Sequence, residues 1–258
     1  MARFLPDDPC THATTPKVWN CTGERLKLHG PAMKITYLGH SCFFVETDSA
    51  RIIIDPFLTG NPLASMAAAD VRCDHVLISH GHEDHTGDAL EIAKANDATI
   101  VANYEIAEYF AAKGAKTHGM NPGGGWDFPF GRVKLTIAHH TSSLNAGLNP
   151  IYMGVPCGLI LEADGKRLYH AGDTALFLDM QLIGRGGLDL ALLPIGDNFT
   201  MGPDDALDAL DLLKPRLAAP MHFNTWPPIA QDADAFARAA AQRGHEVKAL
   251  RPGDVLSL

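Results

Sequence analysis

Three histidines and an aspartate, His80, His82, Asp84 and His85, fall within six residues directly after the apolar run Val76-Leu77-Ile78. A short apolar run bounded by polar residues reads as a buried strand, so the four groups are delivered together to the end of a sheet. Neutral imidazole and carboxylate are ligands of zinc and similar divalent ions. Packed this closely without a cation they are costly, because a buried charge needs a partner. Gly81 permits a tight turn, so that His80 and His82 face one ion while Asp84 and His85 face another. A polar loop with accidental histidines is the competing reading, and the density of the cluster behind an apolar strand argues against it.

Around this feature the chain alternates strands and helices. Strand patterns occur at Lys34–Leu38, Phe43–Glu46, Arg51–Ile54, Thr99–Val101 and Val133–Ile137, and in the second half at Leu159–Leu161, Arg167–Tyr169, Leu190–Leu193 and Leu217–Ala219. Helical patterns cover 89–95, 107–113 (ending at Gly114), 175–183, 204–213 and 232–243. Strands and helices in both halves predict an α/β (α+β) chain, two packed sheets covered by helices on the outside. Gly123–Gly125 and Thr141–Gly158 read as surface loops, and Gly123–Phe130 and Ser142–Pro156 as lid candidates, with Trp126, Tyr152 and Met153 as an apolar wall.

Residues 1–32 carry no apolar period and read as an irregular extension, with the compact domain at 33–258 and Met33 as an alternative natural start. Their first ten residues lack the apolar core of a signal peptide, and no stretch reaches the roughly 18 apolar residues of a membrane span. The five cysteines have no C-x-x-C pair, which fits free thiols and a cytoplasmic setting. A net charge of −9 disfavours a nucleic-acid partner, since phosphate binding draws on Lys and Arg.

The run His80-x-His82-x-Asp84-His85 resembles the H-x-H-x-D-H signature of the metallo-β-lactamase superfamily. The likeness is closer to its uncharacterised metal-dependent hydrolases, which are similar to the ascorbate-phosphate lactonase group. It rests on Leu38-Gly39-His40-Ser41, Ile54-Asp55-Pro56-Phe57-Leu58-Thr59-Gly60-Asn61-Pro62, Tyr169-His170-Ala171-Gly172-Asp173-Thr174 and the segment Pro194–Pro203, and leaves 1–32 unmatched. It implies a four-layer αββα sandwich with two metals at the sheet edge. His140 would join His80 and His82, Asp173 would bridge, and His222 would join Asp84 and His85. His140 is chosen over the adjacent His139 because strand alternation from Val133, Leu135 and Ile137 turns His139 toward the apolar side.

Four further residues carry two readings each. His40 either points into the site, as the resemblance implies, or hydrogen-bonds within a tight turn. Asp55 either orients a ligand histidine through its other ring nitrogen or marks an Asp-Pro turn. Asn198 either donates to a substrate oxyanion or is a turn asparagine, and Asp173 alone would be a turn or cap residue. His12, His29, His75, His118 and His245 stand apart from the cluster and read as ordinary residues.

The expected activity is hydrolysis of a small ester, lactone or phosphoester by a metal-bridging hydroxide, with Asp84, His40 and Asn198 as catalytic candidates. The cofactors are two divalent ions, zinc first, with Mn, Fe or Ni as alternatives. Two ions, two carboxylates and a hydroxide leave a formal charge of about +1, which implies an anionic small-molecule substrate. A nuclease of the same fold and a metal-binding module without activity are the alternatives. Dinuclear iron redox chemistry is disfavoured because His, not Glu, occupies position 82.

Overall fold

The computed structural model describes residues 33–145 and 149–258, all within one compact unit. The expected extension over 1–32, with Cys10, Cys21, His12 and His29, lies outside the described residues.

The chain opens with β1 (Lys34–Gly39), β2 (Cys42–Glu46) and β3 (Arg51–Ile54), an antiparallel meander. β4 (His75–Leu77) follows, then the single-turn α1 (Glu83–Thr86) and α2 (Ala89–Asn96). β5 (Thr99–Asn103), α3 (Tyr104–Ala112) and β6 (Lys116–Met120) extend the same sheet in parallel. The second sheet begins with β7 (Gly125–Phe128) and β8 (Gly131–Ile137). A small hairpin, β9 (Ser143–Leu144) and β10 (Ile151–Tyr152), precedes β11 (Cys157–Ala163) and β12 (Lys166–His170). α4 (Met180–Gly184), β13 (Leu190–Pro194), α5 (Pro203–Leu213), β14 (Ala218–Met221), α6 (Ala233–Gln242) and β15 (Val255–Ser257) complete the fold.

The first sheet has the order β15-β1-β2-β3-β4-β5-β6 and the second β14-β13-β12-β11-β8-β7. Alternating positions put Ile35, Tyr37, Val45, Ile52 and Ile54 of one sheet against Val133, Leu135, Leu159, Leu161 and Leu190 of the other, in one continuous core. The other face of the first sheet, with Leu38, Ile53, Val76, Ile78 and Ile100, packs on Ile92 of α2 and on Ile106 and Phe110 of α3. α4, α5 and α6 add Met180, Leu210 and Phe236 to the main core. These are the αββα layers that the sequence implies.

Several local expectations need correction. Gly123–Phe130 is not a lid: β7 pairs with β8 as an edge strand, and Trp126 packs on His118 at 5.1 Å. Met153 is fully buried under Gly81 instead of lining a wall, whereas Tyr152 is exposed on the hairpin. α3 starts at Tyr104, earlier than expected, because the Asn103 side chain caps it by accepting from Ile106 N at 2.9 Å. The helix expected over 175–183 is reduced to α4, since Phe177, Leu178 and Asp179 form a turn into it.

Period two also breaks within β8. Thr136 is buried and Ile137 half exposed, because Gly158 opposite Thr136 has no side chain and leaves the space that the threonine fills. His139 is therefore exposed against Phe177, not turned toward the core.

Candidate metal centre

Every candidate ligand sits where a strand gives way to a loop at one edge of the two sheets. β4 leads to His80, His82 and α1; β8 to His140; β12 to Asp173; β14 to His222; β1 to His40. The turns are sharp: His40, Asp55 and His222 hold φ of 57°, 46° and 54°. Such left-handed positions are strained for residues with a Cβ and persist where the surroundings over-determine them. Here those surroundings are cross-sheet hydrogen bonds. His222 N donates to His40 O at 2.8 Å, and Cys157 N donates to Ser79 O at 2.9 Å.

Two groups of side chains result. The ring nitrogens of His80, His82 and His140 lie within 4.8 Å of one another, as do the donor atoms of His40, Asp84, His85 and His222. His80 Nε2 and His82 Nδ1 face each other at 3.0 Å. Asp173 stands between the groups, with Oδ2 at 2.9 Å from His222 Nε2, 3.7 Å from His140 Nε2 and 4.0 Å from His80 Nε2. Its Oδ1 is 3.3 Å from His85 Nε2. All seven sequence-predicted ligands, from His80 to His222, thus meet around one point.

The opposite ring nitrogens are held from behind. Asp55 is fully buried and accepts from Ser79 N at 2.7 Å, Ser79 Oγ at 2.6 Å and His85 Nδ1 at 2.8 Å. Ser79 Oγ in turn accepts from His80 Nδ1 at 3.0 Å, because a hydroxyl that donates to a carboxylate still has lone pairs to offer. One carboxylate therefore fixes the tautomers of the two neutral histidines, with the proton on Nδ1 and Nε2 directed at the cluster. Asp55 is at once the orienting residue and a turn residue. His170, not singled out from the sequence as a site residue, donates from Nε2 to Ser41 O at 2.9 Å and accepts from Gly172 N at 3.2 Å. It braces the loops of His40 and Asp173 against each other.

Electrostatics follow from burial and from these neighbours. Burial pushes His80, His82 and His140 below the usual imidazole range and takes His40 to about 4. Burial opposes a charge on His85 too, but Asp173, Asp55 and Asp84 outweigh it and hold His85 well above that range. Burial works against ionising Asp84 and Asp173, yet His85 beside the first and His222 and His85 beside the second hold both below the carboxylate range.

The donor set fits divalent metal. His85 Nε2 and Asp173 Oδ1 are buried and without a hydrogen-bond partner among the described residues. Leaving such atoms unpaired is unfavourable, and a cation between them satisfies both. Five imidazoles and two carboxylates are the ligand types of zinc and its neighbours.

The remaining candidates separate clearly. His40 is buried in the second group, with Nε2 at 3.1 Å from Asp84 Oδ2 and Nδ1 at 2.7 Å from Thr225 Oγ1. Asn198 is exposed in a left-handed turn (φ 32°) with no hydrogen bond from its side chain among the described residues, and is not brought into the cluster. His75 packs on Phe130, His118 on Trp126, and His245 pairs with Asp211 at the surface. Ser142 was also missed: it accepts from Gly81 N and donates to Met153 O, stapling the hairpin to the metal loop. Its signal was its place two residues after His140.

A family model described as beta-lactamase superfamily domain matches residues 50–223. A UPF0173 metal-dependent hydrolase of Pelotomaculum thermopropionicum is 54% identical over 229 residues, 88% of this chain and all of the relative. One from Thermus thermophilus is 51% identical over 226 residues, 88% of this chain and 99% of the relative. Among solved structures, the metallo hydrolase Igni18 of the archaeon Ignicoccus hospitalis is similar, with 40% identity and a TM-score of 0.80 over 88% of this chain and 98% of that one.

Proposed function

This chain belongs to the metallo-β-lactamase superfamily, among its UPF0173 metal-dependent hydrolases, and from that premise we propose a binuclear hydrolase of small esters, lactones or phosphoesters. The observation that carries the reading is the pair of imidazole groups on either side of Asp173, with His85 Nε2 and Asp173 Oδ1 buried between them and unpartnered among the described residues. His80, His82 and His140 would hold one ion, Asp84, His85 and His222 the other, with Asp173 shared. Bound there, the ions supply Lewis acidity and lower the pKa of water from about 15.7 toward 7.

The chain's own residues set the conditions for that chemistry. Asp55 and Ser79 hold the Nδ1 protons of His85 and His80, so that the neutral rings offer Nε2 to the ions and the proton His85 gives up on loading leaves from Nε2. Phe57 and Trp226 flank His40 at ring-centre distances of 5.7 and 5.1 Å, and the His40 side chain is fully buried beside them. The apolar side raises the local strength of every charge interaction in the site. Asp55 also touches His85, and counting its charge brings the centre's formal total from about +1 to about zero. Uncharged lactones and esters therefore stand beside anions as substrates.

Hydrolysis of a panel of lactones, carboxylic esters, phosphomonoesters and phosphodiesters by protein reloaded with Zn²⁺ or Mn²⁺ tests the proposal. Turnover of at least one class that is lost on chelation and in Asp173→Asn supports it. No metal-dependent turnover of any of the four overturns it in favour of a binding module.

A further inference from the structure

His40 occupies a place that its residue type disfavours. It follows Gly39 (φ 109°) with φ 57°, so two successive left-handed residues turn β1 into β2, a pattern suited to glycine or asparagine. It is nevertheless a fully buried histidine, and its polar atoms are committed. The carbonyl accepts from His222 N at 2.8 Å and from Tyr37 OH at 3.1 Å. Nδ1 meets Thr225 Oγ1 at 2.7 Å, and Nε2 meets Asp84 Oδ2 at 3.1 Å.

The hydrogen-bond chemistry fixes which nitrogen carries the proton. An ionised carboxylate only accepts, so the nitrogen facing Asp84 is Nε2–H; in the neutral ring Nδ1 is then bare and accepts from the Thr225 hydroxyl. A protonated nitrogen has no lone pair for a metal. His40 thus lies among the second group of donor atoms without being able to act as one.

We propose that His40 is a positioning residue for the second ion: Nε2–H holds one acceptor position of the Asp84 carboxylate, its remaining lone pairs stay free for the metal, and Thr225 sets the tautomer. The inference rests on the binuclear reading and corrects the expectation that His40 is itself catalytic. Asp84 Oδ2 lies 3.9 Å from His85 Nε2 and 3.8 Å from His222 Nε2, so an unsupported carboxylate can swing out of reach of both. The His40 carbonyl grips the backbone of His222 at the same time, so one residue aligns two of the three ligands.

The test uses Co²⁺ as probe on the full chain, with two readouts: the stepwise affinities from competition with a chelator, and the visible d–d absorption at saturation. In His40→Ala the second Co²⁺ binds about 10- to 100-fold more weakly, the range for loss of an orienting partner, while the first is unchanged. His40→Gln, whose side-chain N–H reaches toward Asp84, recovers most of that affinity, and its saturated spectrum matches the wild type because no ligand is lost. Thr225→Val weakens the second site with His40 still in place, and Thr225→Ser restores it. A His40→Gln spectrum altered as by loss of a nitrogen ligand overturns the proposal alone, as does a Thr225→Val chain with wild-type affinity. A wild-type chain that takes up no second Co²⁺ overturns it together with the binuclear reading.

Discussion

Replacing Asp55 by asparagine changes no volume but removes the charge on which both halves of the centre lean. The carboxylate serves three donors, Ser79 N, Ser79 Oγ and His85 Nδ1. An amide has one acceptor oxygen, and if that keeps Ser79 N, its NH₂ end faces Ser79 Oγ and His85 Nδ1. To meet an N–H donor His85 must give up its Nδ1 proton and carry it on Nε2, the atom directed at the second ion. Loss of an orienting carboxylate weakens a metal site about 10- to 100-fold, or about 1.4 to 2.8 kcal/mol at roughly 1.4 kcal/mol per tenfold. The first ion weakens less, because His80 reaches Asp55 only through Ser79. Stepwise Zn²⁺ affinities from competition with a chromogenic chelator measure both effects, and circular dichroism checks the fold. If Asp55→Asn binds both ions within about twofold of the wild type, the tautomer argument is wrong.

Gly81→Ala places a Cβ 2.3 Å from Met153 Cβ, so the hairpin must move. We expect a loss of about 1–3 kcal/mol in denaturant unfolding and faster proteolytic cutting within 141–156. Metal uptake near neutral pH displaces the proton that Asp173, Asp55 and Asp84 hold on His85 in the metal-free chain. Titration calorimetry in buffers of different ionisation enthalpy should show proton release, with affinity rising with pH; no release would refute it. In the metal-free chain the raised His85 stabilises fully below about pH 6.5 and ceases to as pH climbs through its folded value. The lowered Asp84 and Asp173 act in the opposite sense, contributing above about pH 4 and losing that contribution as pH falls.

Much of this was legible in the residues. The run from His80 to His85 behind an apolar strand announced its own chemistry, because so many ligand groups rarely meet on a buried strand without a cation. His140, Asp173 and His222 carried little signal alone; they gained it from the resemblance, and the fold brings them together across two sheets. The preference for His140 led to the residue that reaches the cluster, but the alternation behind it failed, since Gly158 lets Thr136 take a buried position. Periodicity cannot register a missing side chain on a neighbouring strand. Asn103 and Ser142 went unseen for a related reason: their partners Met153 O and Gly81 N are backbone atoms far along the chain. Asn198 read equally as oxyanion donor or turn residue, and its exposed left-handed position shows the turn. Strands as short as β9, β10 and β15 left no pattern to read.

Elemental analysis of protein purified without added metal, and again after reloading with Zn²⁺ or Mn²⁺, decides whether the centre holds two ions. A binuclear centre gives about two ions per chain, as in two-metal hydrolytic sites, and a clear loss in His82→Ala, whose Nδ1 faces His80 Nε2 at 3.0 Å. A wild-type chain that stays empty after reloading, or a His82→Ala chain that keeps both ions, would contradict it.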